Sequence, residues 1–375
     1  MERVLLTDVC NFQYGYAFDS RKFSNEGKVP LVRIRDVVRG YSETYTDEDF
    51  DDNYLVHDGD MLIGMDGEFN IAYWHGGDAA LNQRVCKLVP SDKVDSAYIF
   101  YRMVSVLKQI ESKTPFVTVK HLSAKELNAV YIDLPNISEQ EMQGKKLRYI
   151  DGLIAKNDSK LKIMDILVKS RFIEMFGNPL TNPMNWDIRT VGELSADVKY
   201  GTSSKASDVG KYKYLRMNNL TYDGYIDLSD LKYIDMSDED LEKCVVRKGD
   251  ILFNRTNSSE LVGKTAYFDF DEDMVIAGYI IRVRLNDCMS PIFFARFMNL
   301  EYMKRQLRSM AKGAVNQANI NAQELKSIEV YVPPIDLQNQ FADFVAQTDK
   351  SKLAVQQSIE TLQTLKANLM QEYFG

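Results

Sequence analysis

The feature that most constrains this chain is that it is written twice. VHDGDMLIG (Val56–Gly64) answers VRKGDILFN (Val246–Asn254), with Asp250 standing 190 residues after Asp60. LVRIRD (Leu31–Asp36) answers YLRMNN (Tyr214–Asn219), which pairs Arg33 with Arg216. YGYAF (Tyr14–Phe18) answers YGTSS (Tyr200–Ser204), and RFIEMFG (Arg171–Gly177) answers LMQEYFG (Leu369–Gly375) at an offset of 198. A period this long is not that of a solenoid. It is two copies of a whole domain plus a helix, in a chain whose 375 residues suit two or three domains.

Both copies keep one internal order. Short β-like runs come first, with turn residues between them. The shared Gly59-Asp60 and Gly249-Asp250 precede apolar strands, and each glycine suits a turn with positive φ. TDED (Thr46–Asp49) and SDED (Ser237–Asp240) read as capping boxes opening short helices, with a metal site as the rival reading. Helical segments follow, YIFYRMVSVLKQI and IFFARFMNLEYMKRQL, then a polar loop and a last strand. That strand ends at a repeated junction, YIDLPNISEQ (Tyr131–Gln140) and YVPPIDLQNQ (Tyr331–Gln340): tyrosine, apolar residues, a proline break and a Gln-bearing run that opens a helix.

Each junction leads into about 40 residues without proline, ~60 Å of α-helix. In the first, Leu147, Ile150, Ile154, Leu161, Met164 and Val168 recur at helical spacing. In the second, Leu337, Phe341, Phe344, Thr348, Val355, Leu362, Leu365 and Leu369 do so. This heptad-like seam predicts two helices that pack on each other and hold two globular domains apart. The plainer alternative is that each helix covers its own domain. The first helix stops at FGNPLTNPMNWD (Phe176–Asp187), with Gly177 as C-cap and Pro179 and Pro183 unable to extend it. The fold class expected is α+β: two tandem globular domains, each a mixed β-sheet with helices, separated by two long helices in an antiparallel coiled coil. The boundaries read as residues 1–135, 136–177 (first helix), 178–185 (linker), 186–334 and 335–375 (second helix).

Composition narrows the function. No run of about 18 apolar residues suggests a membrane span, and the N-terminus lacks the apolar stretch of a signal peptide. Cys10, Cys86, Cys244 and Cys288 are scattered and read as reduced thiols of a cytoplasmic protein. His57, His75 and His121 lack metal-ligand spacing. The net charge of −8 argues mildly against nucleic acid as main partner, but KRQLRSMAK (Lys304–Lys312) and SKTPFVTVKHLSAK (Ser112–Lys125) are basic and free of acid. No catalytic constellation stands out. GKT (Gly263–Thr265) lacks the upstream glycine of a phosphate loop, Ser258 standing in its place. A duplicated chain without an active site reads as a binder rather than an enzyme.

Residues that differ between the copies at matching places are the candidate binders. Tyr14, Arg33, Arg35, Asn82, Gln83, Arg84, Lys120 and His121 mark the first copy. Arg216, Asn218, Asn219, Asn254, Arg255, Asn257, Ser258, Asn316, Gln317 and Asn319 mark the second. Arginine reads guanine edges, and Asn or Gln reads adenine edges, by paired hydrogen bonds. Lys113, Lys205 and Lys312 suit phosphates, which position a protein without specifying sequence. Taken one at a time, each reads first as a solvated loop side chain; recurrence at matching sites in both copies is what lifts the set.

The stretches YGYAFDSRKFSNEGKVPLVRIRDVVRG, GDMLIGMDG, ALNQRVCKL, FGNPLTNPMNW, GDILFNRTN and NQANINAQELKSIEVYVPPIDLQNQ resemble the specificity subunit of type I restriction–modification enzymes, across essentially the whole chain. That resemblance implies two target-recognition domains reading the halves of a bipartite, asymmetric site on double-stranded DNA, with the long helices as spacers. It implies two modification subunits that bind S-adenosylmethionine and methylate adenine N6, and ATP-driven, Mg-dependent restriction subunits. No cofactor is then expected in this chain, and its place is the bacterial or archaeal cytoplasm. High acidity is the departure from expectation, so DNA affinity would lean on the partner subunits. A methylation-only complex and a protein–protein adaptor built on the paired helices are the other readings.

Overall fold

A computed structural model describes residues 2–113, 120–314 and 317–375. The chain divides into two compact units, Met1–Asp158 with Gln356–Gly375, and Ser159–Val355. The α+β expectation holds, each unit carrying sheets and helices.

In unit 1 one antiparallel sheet has the order Cys10–Tyr14, Val85–Pro90, Met61–Gly64, Asn70–Tyr73. A second runs Tyr45–Thr46, Val29–Val32, Ala79–Leu81, Leu55–Val56, and its central pair is parallel. Unit 2 repeats both: Ser195–Tyr200, Ile280–Leu285, Ile251–Asn254, Thr265–Tyr267, and Lys232–Ile234, Tyr212–Leu215, Met274–Ile276, Val245–Val246, again parallel at the centre. The strands Met61–Gly64 and Ile251–Asn254 are buried along their whole length, as near-continuous apolar runs require. In each unit the strand before the long helix pairs antiparallel with the strand that opens the copy, Glu2–Leu5 with Tyr131–Leu134 and Asp187–Thr190 with Glu329–Val332.

The Gly-Asp turn is as expected. Gly59 and Gly249 have φ of 91° and 95°. Asp60 accepts from His57 N at 2.9 Å and Asp250 from Arg247 N at 2.9 Å, closing each turn through the side chain. Each carboxylate also holds a cation from the neighbouring strand, Lys87 at 2.6 Å and Arg284 at 2.9 Å. Neither expected capping box closes in full, and only the second stretch supplies an N-cap. Ser237 caps the helix Asp238–Cys244 by accepting from Asp240 N. Thr46 instead ends a strand, and Asp47 accepts from Lys28 N at 2.8 Å, so TDED is spent on a sheet edge rather than a helix.

The repeated junction has a physical reason. Gln140 is buried; its Nε2 donates to Pro135 O at 2.9 Å and its Oε1 accepts from Asp95 N at 2.9 Å. Gln338 is buried; its Nε2 donates to Pro333 O at 2.7 Å and its Oε1 accepts from Ser290 N at 2.8 Å. One glutamine therefore ties strand end, long helix and the start of an earlier helix, Ser96–Lys113 or Pro291–Met298. Buried backbone groups at such ends must find a partner.

The long helices run Ile137–Phe176 and Ile335–Phe374. In unit 1, segments of both lie side by side and antiparallel: Lys366 meets Asp151 at 2.6 Å, and Asn157 Nδ2 donates to Ser358 Oγ at 3.2 Å. Leu147, Ile150 and Phe374 are buried there, with Ile154 and Leu362 half-buried and Leu369 packed on the core. In unit 2, Lys352 pairs with Asp165. Phe341 stacks edge-on against Phe172 and Phe176 at 5.3 and 5.5 Å. Val168 and Val345 join that core, Leu337 and Phe344 pack on it, and Leu161, Met164 and Val355 are half-buried. Leu365 is corrected: it is 46% exposed, because the inward positions here are Ile359, Leu362 and Lys366. A helix turning at 3.6 residues puts position 365 one step off that line.

Candidate nucleic-acid interface

Each unit opens a cleft at the same place in its fold. The chain leaves the first strand of the larger sheet at Gly15 or Gly201 and bridges in parallel to the turn beyond the second sheet, Tyr16 to Asn82 and Thr202 to Ala277. A Cβ on Gly15 would stand 2.1 Å from Asn82 O, and one on Gly201 2.2 Å from Ile276 O, so backbone contact demands glycine in both. The unit 1 cleft, about 480 Å³, is lined by Phe18, Ser20, Phe23, Arg33, Ile34, Arg35, Asn82, Gln83 and Arg84. The unit 2 cleft, about 530 Å³, is lined by Thr202, Ser203, Ser204, Tyr214, Arg216, Met217, Asn218, Arg255, Ala277, Gly278 and Tyr279.

One turn carries much of each lining. Asp36 accepts from Arg33 N at 3.0 Å and Asn219 from Arg216 N at 2.8 Å, and both side chains are buried. These caps aim Arg33 and Arg35, or Arg216 and Asn218, at the cleft. Arg35 donates to Thr44 Oγ1 at 3.1 Å. Arg216 reaches Asp230 at 2.7 Å and Asn218 reaches the same carboxylate at 3.2 Å, so the second cleft is partly neutralised. Beside the first cleft His121 Nδ1 lies 2.5 Å from Asp66, with Arg84 Nε 3.6 Å from the other oxygen of that carboxylate.

Several expected readers take other roles. Asn219 spends its amide on Asp227 O and Asp230 O, and Asn254 on Thr256 O and Tyr279 O; both are buried and cannot read bases. Asn257 donates to Asn254 Oδ1, and its own Oδ1 accepts from Ser258 N, so this pair shapes the loop. Tyr14 packs on the unit 1 core and does not line the cleft, and burial pushes its hydroxyl up to about 12. Lys120 is drawn to Glu111 and Lys312 to Glu324, at 3.4 and 2.6 Å. Lys113, Lys205 and Gln317 are exposed but line neither cleft. Asn319 is half-buried and touches Arg255. Asn316 lies outside the described residues. Lys264 of the GKT stretch is buried, donates to Met217 O at 2.7 Å and has its pKa pulled down by that burial. The lining also holds Phe18, Phe23, Tyr279 and the Thr202–Ser204 run, which were not among the expected readers; the doubled Tyr-Gly signals only Phe18 and Thr202–Ser204, which follow it closely.

A family model described as the type I restriction modification DNA specificity domain matches the chain twice, over residues 1–163 and 183–364. The chain belongs to this family. The two clefts are thus matching places in two DNA specificity domains. The chain is 28% identical over 379 residues to the type I restriction enzyme EcoBI specificity subunit of Escherichia coli, covering 92% of this chain and 78% of that one. It is 22% identical over 352 residues to the EcoKI specificity subunit of Escherichia coli K12, covering 85% and 75%. In fold it is similar to the type I restriction–modification S subunit from M. genitalium, with a TM-score of 0.61 at 16% identity over 100% of this chain and 96% of that one. A structure described as underlying assembly and conformational transition of the type I R-M system aligns with a TM-score of 0.56 at 14% identity. Among the described residues of this specificity-domain chain, no His, Cys, Asp and Glu side chains gather as a metal site, and no helix is long and apolar enough to cross a membrane.

Proposed function

We propose that this chain is the DNA-reading subunit of a type I restriction–modification complex, each cleft engaging one half of a bipartite, asymmetric site on double-stranded DNA. The observation that carries this is the pair of clefts: the same backbone frame in both copies, with Arg33, Arg35, Gln83 and Arg84 in one and Arg216, Asn218, Arg255 and Tyr279 in the other. A common frame with different edge-reading side chains suits two different half-sequences.

The chain supplies address and its partners supply chemistry. Modification subunits would bind S-adenosylmethionine and methylate adenine N6, and restriction subunits would use ATP and Mg, all in the cytoplasm of a bacterium or archaeon. Support for docking comes from an apolar row exposed on the first long helix: Ile163 at 62%, Ile166 at 61% and Leu167 at 48%. An exposed row of this kind marks an interaction surface. Single-molecule methylome sequencing with and without this gene tests the reading. Loss of one bipartite N6-methyladenine motif on deletion is expected; an unchanged methylome would reject it in favour of an adaptor.

A further inference from the structure

Besides the arginines of the Arg33 and Arg216 turns, each cleft has an arginine at its edge, Arg84 or Arg255, that touches the residue at one shared register position, His121 or Asn319. In unit 2 Arg255 directly follows the buried strand Ile251–Asn254. Its N–H donates to Tyr279 O at 2.9 Å and its carbonyl accepts from Ile320 N at 2.9 Å, so the backbone is held on both sides. The guanidinium lies 4.8 Å above the Tyr200 ring, and Nη2 donates to Asn319 Oδ1 at 3.3 Å. Its Nε is buried and has no partner among the described residues.

Unit 1 builds the same brace from other residues. Asp66 bridges His121 where Thr256 pairs with Asn319, so His121 and Asn319 hold one register position. The backbone bond is shared as well: Met65 N donates to Arg84 O at 3.1 Å where Arg255 N donates to Tyr279 O. Arg84 therefore matches Tyr279, and Arg255 matches Met65. The arginine reaches this spot from opposite sides of one backbone contact. Arg84 Nη1 lies 3.2 Å from His121 Nδ1. That nitrogen is also 2.5 Å from one Asp66 oxygen, and the other oxygen lies 3.6 Å from Arg84 Nε, so guanidinium, imidazole and carboxylate form one cluster.

Holding a phosphate needs charge, and a mobile side chain serves. A brace that fixes the plane of a guanidinium, and in unit 1 offsets its charge with a carboxylate, serves planar two-bond recognition instead. We infer that Arg84 and Arg255 are the specificity-determining residues of the two clefts, each reading O6 and N7 of one guanine, with Asp66 and His121 or Tyr200 and Asn319 as positioning residues. This rests on the DNA-reading function proposed above.

The test uses the full chain assembled with its modification subunits, and methylome sequencing of Arg84→Lys, Arg84→Gln, Arg255→Lys and Arg255→Gln. Arg255 variants are expected to lose discrimination at one guanine of one half-site by about tenfold or more, with Gln moving preference toward adenine. Arg84 variants do the same in the other half only. Tyr200→Ala relaxes the position that Arg255 reads while Tyr200→Phe, which keeps the ring, leaves the motif intact. Methylation that falls evenly at all sites with an unchanged motif would make these arginines phosphate contacts and overturn the inference, as would motifs that do not change at all. A wild-type complex without any bipartite mark would instead sink the underlying DNA-reading function.

Discussion

At the scale of single residues, Gln140 and Gln338 show how a polar side chain organises a core boundary. Each satisfies one backbone N–H and one carbonyl that the fold removes from water, and Gln338 Nε2 also donates to Cys288 O at 3.1 Å. Replacing either by alanine orphans both groups, so Gln140→Ala and Gln338→Ala should each destabilise the chain by about 1–3 kcal/mol in denaturant titrations. Glutamate keeps the acceptor but sets a buried carboxylate against the proline carbonyl, and should destabilise at least as much as alanine at neutral pH. The sequence displayed both glutamines at one place in each copy, yet the N–H groups they accept from lie 45 and 48 residues away and no local pattern names those.

At the scale of elements, the long helices are fixed by aromatic anchors at their ends and ion pairs along them. Phe374 meets Tyr98 at 5.5 Å, and its carbonyl accepts from Arg102 and Ser105 at 3.1 Å each. Phe176 occupies the matching role beside Phe293 at 4.7 Å. The heptad reading found Leu147 and Phe341 but passed over Phe172, Phe176 and Phe374. It tracked a helix–helix seam, whereas these rings face the sheet domain that the helix end enters. The Asp151–Lys366 pair is half-exposed, so its worth is modest. In a double-mutant cycle of Asp151→Asn and Lys366→Met, the double variant should cost less than the two singles together by about 0.5–1 kcal/mol. Strict additivity in thermal melts would mean that the pair does not couple the helices.

At the scale of the whole molecule, the duplication produces units that do not coincide with the written repeats. Unit 1 takes its last twenty residues, Gln356–Gly375, from the far end of the chain. A fragment of residues 1–158 therefore lacks Phe374 and leaves the ground between Tyr98 and Leu147 uncovered. Its melting midpoint should rise when a peptide of residues 356–375 is added, by the mass-action stabilisation of any native-state ligand. The same peptide carrying Phe374→Ala should fail to raise it, since a lost buried phenylalanine costs about 3–5 kcal/mol.

The sequence by itself determined the doubled plan, the strand-rich domains, both long helices and the family, because each is carried by local periodicity or by residues repeated in order. Only the tertiary structure decided which side chains remain available to a ligand. Asn219 and Asn254 look like adenine readers on paper and are consumed by carbonyls inside the fold. Arg84 and Arg255 look like two arginines among many and are set apart by braces from His121 and Asn319, 37 and 64 residues away. Hydrogen bonding is short-ranged in space and indifferent to distance along the chain, so the partners that free or occupy a side chain exist only once the fold has brought them together.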